Sequence, residues 1–213
     1  MYLPQHFEEA QAGEFHQLIR AHPLGALVVY GPNGLDANHL PFELVTPSGE
    51  NATLQAHVAR ANPVWQEVKN GDEVLVIFRA AEGYISPNWY PSKHELHRQV
   101  PTWNYQVVHV HGQIQIHDDE KFVRGVVARL TREHEGRTGQ ERPWKMTDSD
   151  PAYIEAMLKA IVGIKIAITR VVGKSKLSQN KGARDRLGAV QGLQELGSQP
   201  LADAMRATLP HTD

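Results

Sequence analysis

The sequence predicts a mainly β chain of the α+β class, an antiparallel sheet closed as a barrel with helices packed outside it. Three observations lead there. Val108, Val110, Ile114 and Ile116 alternate with His109, His111, Gln113 and Gln115, the period of a half-buried strand. The early apolar runs are separated by turns too short for βαβ crossovers, so neighbouring strands pair antiparallel. Helical stripes fall only at the start, the middle and the end of the chain, where they cover a sheet rather than alternate with its strands. Neither G-x-G-x-x-G nor G-x-x-x-x-G-K-[ST] occurs, which argues against a nucleotide-binding α/β fold.

Taken in order, His6 to Arg20 reads as a helix with Phe7, Phe15, Leu18 and Ile19 on one side, stopped by His22-Pro23. Leu24 to Tyr30 reads as a strand, Gly31-Pro32-Asn33-Gly34 as a turn, and Asn38 to Val45 as a second strand. Thr46-Pro47-Ser48-Gly49 turns the chain into a third strand, Ala52 to Ala59, where Leu54, Ala56 and Val58 alternate with Thr53, Gln55 and His57. A short helix follows Asn62-Pro63, with proline at its first position. Asn70-Gly71-Asp72 then leads into a β-rich run, Glu73 to Arg79. Gly83 to Pro101 is irregular, punctuated by Pro87, Pro91 and Pro101. After the strand ending at Ile116, Asp118 stands at an N-cap position, and Phe122, Val123, Val126, Val127 and Leu130 form a helical stripe to about His134. Asp148 to Leu158 is a further helix and Ile164, Ile166 and Ile168 mark a last strand. The tail after Asn180 is helical in propensity, with Leu187, Val190 and Leu193 as its stripe. No linker or internal repeat divides the chain, so residues 1–213 are expected to form a single domain with N-terminal, middle and C-terminal helices.

Composition narrows the chemistry. A hydrophobic fraction of 41% supports a real core. Zero cysteine removes disulfides, thiolate metal sites and thiol nucleophiles, and fits a reducing, cytoplasmic compartment. The longest apolar runs are too short for a membrane span, and the N-terminal residues do not resemble a signal peptide. A net charge of −2 gives no basic surplus for nucleic acid.

Four stretches carry candidate chemistry. Tyr84, Trp89, Tyr90, Trp103 and Tyr105, with Asn88, Lys93 and Asn104 among them, form an aromatic block. Such residues wall a planar ligand, and they equally plug a barrel mouth or a subunit interface. His57, Arg60 and Asn62 stand where a strand feeds a helix N-terminus, a place that suits a phosphate or a plain Asn-Pro cap. Lys174, Lys176, Lys181, Arg184 and Arg186 make a basic stretch suited to phosphate, to nucleic acid, or simply to a solvated helix start. His109 and His111 share one strand face, as a metal pair or as a hydrogen-bonding wall. G-x-S-x-G and H-E-x-x-H are both absent, and no catalytic residue stands out.

The blocks Asn38-His39-Leu40-Pro41-Phe42, Gln55 to Pro63, Tyr84 to Tyr90, Val100-Pro101-Thr102-Trp103-Asn104-Tyr105 and Lys176 to Lys181 resemble the PaiB-type FMN-binding negative transcriptional regulators, over nearly the whole chain. The resemblance implies a split β-barrel related to pyridoxamine-phosphate oxidase and small flavin reductases. It also implies a homodimer with FMN at or near the subunit interface, and repression of target genes. By residue chemistry, Arg60, Lys93 and Lys176 are candidates for the phosphate. His57, Asn62, Ser178 and Gln179 are candidates for the ribityl chain or the phosphate. Trp89, Tyr90, Trp103, Asn104 and Tyr105 are candidates to wall the isoalloxazine, from the same or the partner subunit. DNA is an expected partner of a repressor, yet no helix-turn-helix is visible. The alternatives are a flavin reductase or oxidase on the same barrel and, third, a haem- or metal-binding barrel through His109 and His111.

Overall fold

The computed structural model describes residues 1–9, 12–48 and 51–209. Gly49, the last residue of the expected turn from Thr46, lies outside them. The described residues form two compact units.

The sheet unit comprises residues 16–78 and 109–171. Its strands are β2 (Leu24–Gly31), β3 (Gly34–Pro41), β4 (Glu43–Val45), β5 (Thr53–Ala59), and parts of β6 (Glu73–Ile85), β7 (Thr102–His117) and β8 (Ile161–Lys176). Their order is β3-β2-β6-β7-β8-β5-β4, with antiparallel registers such as Leu27↔Asn38 and Ala56↔Ile164. That path is open: β3 and β4 end it, so the full closure expected from the sequence does not occur. Alternation aims Leu54, Ala56 and Val58 of β5 into the core with Leu27, Val76, Ile114 and Ile164, as their period predicts. Gly112 allows β7 and β8 to approach, because a Cβ there would lie 2.4 Å from the Ala167 carbonyl oxygen. Helix α2 (Val64–Glu67) is short. Helix α4 (Glu120–Glu135) buries Val123, Val126 and Leu130 on its β4- and β5-facing side. Each such burial contributes about 1.5–3 kcal/mol. Helix α5 (Pro151–Lys159) follows, capped by the Asp150 carboxylate, which accepts from the Tyr153 amide at 2.9 Å.

The terminal unit comprises residues 1–15, 79–108 and 172–213, described to Leu209. It holds β1 (Glu8–Glu9), which pairs with β8, the remaining parts of β6, β7 and β8, α3 (Pro91–Leu96), α6 (Ala183–Glu195) and α7 (Gln199–Ala207). Its core is Ile85, Tyr90, Leu177, Val190, Leu193, Leu201 and Met205 with neighbouring alanines.

Several sequence expectations are corrected. The helix expected from His6 is a 3-10 turn (Gln5–Phe7), strand β1, and then α1 (Ala12–Ala21), because β8 offers Glu8 and Glu9 a ladder to join. Asn38 to Val45 is two strands, broken at Phe42, whose amide bonds the Pro23 carbonyl oxygen. The stretch from Gly83 is largely ordered: β6 runs to Ile85, a 3-10 turn covers Pro87–Trp89, and α3 and β7 follow. Asp119, not Asp118, caps α4, accepting from the Phe122 amide at 2.8 Å. Helix α5 begins at Pro151 rather than Asp148. Leu187 is exposed, although Val190 and Leu193 of the same stripe are buried.

Candidate functional site

One concave feature of the sheet unit is a cleft beside the last turns of α4. Helix α4 is fixed there by Arg129, whose Nε lies 2.8 and 2.9 Å from the two Glu43 carboxylate oxygens and whose Nη2 donates to Gln55 Oε1 at 2.6 Å. Beyond Glu135 the chain turns: the Gly136 amide bonds the Arg132 carbonyl and the Arg137 amide bonds the His134 carbonyl. The returning segment is hung on the helix by its own backbone, since Trp144 N–H donates to Glu135 Oε2 at 3.0 Å. A 3-10 turn, Met146–Asp148, ends it, with Asp148 Oδ2 accepting from the Lys145 amide at 2.9 Å.

Between helix and segment lies a cavity of about 570 Å³ lined by Ala128, Thr131, Arg132, Glu135, Gly136, Pro143, Trp144, Lys145, Met146 and Thr147. A second cavity of about 300 Å³ shares Thr131, Glu135 and Trp144 with it and reaches the sheet at Pro41 and His57. Both volumes lie in or near the range that holds small ligands. Trp144 is 40% exposed, so its ring is half open. His57 Nδ1 is buried with no hydrogen-bond partner. Burial pushes the His57 pKa below its usual value, so the ring is neutral at pH 7.

Of the residues expected from the sequence, His57 lines this cleft. Arg60 and Asn62, in the same unit, are committed elsewhere. The Arg60 guanidinium forks onto Asp118, with Nη1 to Oδ2 at 2.9 Å, and its Nε donates to the Lys159 carbonyl at 2.7 Å. It also lies 5.7 Å from the Trp65 ring centroid. The side-chain hydrogen bond to Asp118 raises the Arg60 pKa and lowers that of Asp118. Asn62 caps the turn into α2: Oδ1 accepts from the Val64 amide at 3.0 Å while Nδ2 donates to Asn38 Oδ1 at 2.7 Å.

The other nine lie in the terminal unit. Tyr90 is fully buried, its hydroxyl 3.5 Å from Ser178 Oγ, and burial raises its pKa. Asn104 is fully buried too, donating to Ser178 Oγ at 2.9 Å and to Met205 Sδ at 3.4 Å, with its Oδ1 unpartnered. Ser178 holds a left-handed backbone, φ 64°. Gln179 closes that turn, accepting from the Leu177 amide at 2.7 Å and donating to the Ser175 carbonyl at 2.6 Å. Trp89 lies on α6, where a Cβ on Gly192 would be 2.4 Å from its ring. Lys93 donates to Asn88 Oδ1 at 2.9 Å. Lys176 donates to Thr102 Oγ1 at 2.5 Å and the Trp103 carbonyl at 2.8 Å; burial lowers its pKa. Trp103 is 50% exposed, and Tyr105 lies 5.4 Å from Lys174 Nζ. The structure thus gathers Tyr90, Asn104, Ser178, Lys176 and Gln179 around the end of β8.

The basic stretch is largely engaged as well: Lys181 donates to Gln99 and Arg184 pairs with Glu95. His111 Nε2 lies 2.9 Å from the Arg170 guanidinium, whose charge, after burial, helps lower the His111 pKa. That neighbour opposes a cation there, and no group of three His, Asp or Glu with metal-binding geometry occurs among the described residues.

Residues 1–170 match the family described as "Putative FMN-binding domain". The chain belongs to this FMN-binding domain family. A Bacillus subtilis relative, protease synthase and sporulation protein PAI 2, is 29% identical over 194 residues, covering 91% of this chain and 89% of its own. An uncharacterised Aspergillus fumigatus protein is 33% identical over 242 residues, covering 93% of each chain. Among solved structures, the FAD and haem binding protein of Mycobacterium smegmatis superposes with TM-score 0.56 at 16% identity, covering 85% of this chain and 79% of that one. The flavocytochrome Anf3 of Azotobacter vinelandii gives 0.52 at 13% identity, covering 82% and 72%. These neighbours establish the split-barrel fold for this family member. The matched segment contains the whole cleft, from Pro41 to Thr147, and ends before Lys176, Ser178 and Gln179.

The sequence patterns single out none of Thr131, Arg132, Trp144, Lys145 and Met146. A signal existed: 136–147 is an aperiodic stretch between two helices that holds Pro143 and a tryptophan flanked by Lys145. The same criterion selects Tyr84 to Tyr105.

Proposed function

We propose that this family member is a flavoprotein that binds FMN in the cleft beside α4. One observation carries the reading: the cleft lies wholly within the matched residues and has the surfaces a flavin needs. Trp144, Leu130, Thr131 and the neutral His57 imidazole line one cavity and would hold a flat apolar ring with a polar edge. Bound FMN would supply one- or two-electron redox chemistry, while the protein binds and orients it. Trp103 and Lys176 remain proposed contacts to a flavin held by a partner copy, since Trp103 presents half of its surface. The chain is proposed to act as a cytoplasmic homodimer that represses target genes. Support comes from the B. subtilis relative, whose name links it to protease synthesis and sporulation. No helix among the described residues is long and apolar enough to cross a membrane.

The test is the absorbance spectrum of the purified protein, before and after adding FMN. A flavin spectrum released by acid precipitation supports the reading. A colourless protein that leaves FMN fluorescence unquenched overturns it. Salt-dependent preference for one promoter fragment over random DNA then tests repression, and NAD(P)H oxidation by the holo-protein would favour a reductase instead.

A further inference from the structure

We infer that the outer face of β2, β3 and β6 in the sheet unit is the surface on which a second copy of this chain docks, with Tyr30 of each copy seated over Ala26 of the other. This rests on the homodimer proposed above and names its surface. The strand registers define the face. Leu27, Val29 and Val76 point into the core and are buried. The alternate positions therefore point outward: the cross-strand pairs Tyr30↔Leu35, Val28↔Ala37 and Ala26↔His39, with Leu75 beside Val28 and Ile77 beside Ala26 on β6. Tyr30 is 75% exposed, Leu35 77% and Leu24, at the far end of β2, 62%. An antiparallel face open to water normally carries polar side chains. Elsewhere the sheet does so, with His111, Gln113 and Gln115 of β7 alternating with the buried Val110 and Ile114. At the outward positions named on β2, β3 and β6 the side chains are apolar apart from His39 and the Tyr30 hydroxyl, and none is Asp, Glu, Lys or Arg. Glu73, exposed at the start of β6, belongs to the rim.

A face without formal charge does not repel its own copy, and this one is complementary to itself in size. A twofold axis through Val28, lying in the interface and across the strands, lays β2 antiparallel on the β2 of the second copy. Tyr30, two residues from the axis on one side, then falls over the partner's Ala26, two residues from it on the other. The bulky Tyr30–Leu35 end of each face fills the shallow place at Ala26, between His39 and Ile77. The same placement brings the two polar groups of the face together, the Tyr30 hydroxyl and the partner's His39, so that neither is buried without a partner. The extent also fits. Strands lie about 4.8 Å apart and outward positions about 6.8 Å apart along each, so the named positions cover roughly 300 Å² of flat sheet. A standard interface buries about 800 Å² per partner, as an apolar core within a polar rim, and this face supplies such a core.

The test is the assembly state of the full chain by sedimentation velocity, for wild type, L35E, A26D, Y30K, an equimolar mixture of A26D with Y30K, and Q115E on the polar part of the outer face. Wild type should be a dimer. L35E, A26D and Y30K should each weaken self-association about a hundredfold or more, because both copies then place a charge in the apolar core. Q115E should stay dimeric. The mixture should recover the dimer, since one of its two symmetry-related contacts pairs opposite charges and the other is native. Melting temperatures close to that of wild type show that the monomeric variants are folded, and recovery in the mixture shows it a second way. A dimer that persists in L35E overturns the inference, as does a mixture that stays monomeric while both of its components are folded. Wild type that is monomeric overturns the homodimer reading itself. FMN bound per chain, measured on the same samples, tests the flavin reading separately from either result.

Discussion

The aromatic block of the terminal unit and the cleft of the sheet unit use the same residue types in opposite ways. Tyr90 and Trp89 belong to the more conspicuous sequence motif, yet Tyr90 has no exposed surface and Trp89 lies against α6. Trp144 belongs to an inconspicuous stretch, yet its ring borders two cavities. Aromatic density in a sequence therefore marks burial demand. Whether a ring meets protein or ligand is decided by what lies opposite it. Opposite Trp89 is a glycine, which lets backbone approach the ring. Across the cavity from Trp144 are Ala128, Thr131 and Arg132 of α4.

If that contrast holds, the largest stability loss comes from Tyr90→Ala. Emptying a fully buried aromatic site should cost about 3–5 kcal/mol in urea unfolding. Its hydroxyl adds little, being 3.5 Å from Ser178 Oγ. FMN bound per folded molecule should not change. Loss of FMN without loss of stability would place Tyr90 at the ligand and erase the contrast. Gly192→Ala is next. Its Cβ would lie 2.4 Å from the Trp89 ring, so helix or ring must shift, at about 1–3 kcal/mol. Pairing it with Trp89→Leu should recover part of that loss, a coupling that thermal unfolding of the single and double variants measures.

The two units also differ in how much of them could be read from the chain. In the sheet unit, alternation in β5 and β7 named the buried side chains directly, because one face is core and the other is not. The breaks were harder: Phe42 interrupts β3–β4 through a bond to Pro23, a contact between distant positions that no local pattern encodes. In the terminal unit the prolines suggested irregularity, but Pro87 and Pro91 each start a helical turn. The open path of the sheet was not legible either, since strand order depends on pairing between segments far apart. At the candidate site, His57 stands out in the sequence with Arg60 where a strand feeds a helix N-terminus, and it lines the cleft. Arg60 was chosen for its chemistry, and Asp118, which occupies its fork, is far along the chain and was assigned to a cap.

Arg60 also supplies a smaller, pH-dependent effect that keeps structural and binding roles apart. Hydrogen bonding to Arg60 holds the Asp118 pKa below the ordinary carboxylate value. A depressed folded pKa stabilises above the unfolded value, about 3.9, and that stability is lost as pH falls through the folded pKa. Wild type should therefore exceed Asp118→Asn in melting temperature at pH 6, and the gap should narrow below about pH 4. Both side chains are substantially exposed, so the gap is small. FMN affinity should be the same for the two proteins at pH 7. Tighter binding by Asp118→Asn would mean that Asp118 masks a phosphate-binding Arg60, and the sheet unit would then have its flavin subsite on β5 instead.

Trp144→Ala should give the smallest stability change of the set, within about 0.5 kcal/mol, because the ring is 40% exposed and its segment is held by a backbone bond to Glu135 that alanine retains. Its effect on ligand should run the other way. Stacking on an aromatic side chain is worth on the order of 1–3 kcal/mol per base in nucleic-acid binding, and a flavin ring offers a comparable face. FMN and riboflavin should thus weaken together, by about tenfold, with their ratio preserved. Tyr90→Ala and Trp144→Ala then form a crossed pair, one unfolding the protein without touching the site, the other emptying the site without touching the fold. Were Trp144→Ala instead to melt well below wild type with flavin affinity intact, its ring would be packing like that of Trp89, and the two regions would differ in exposure alone.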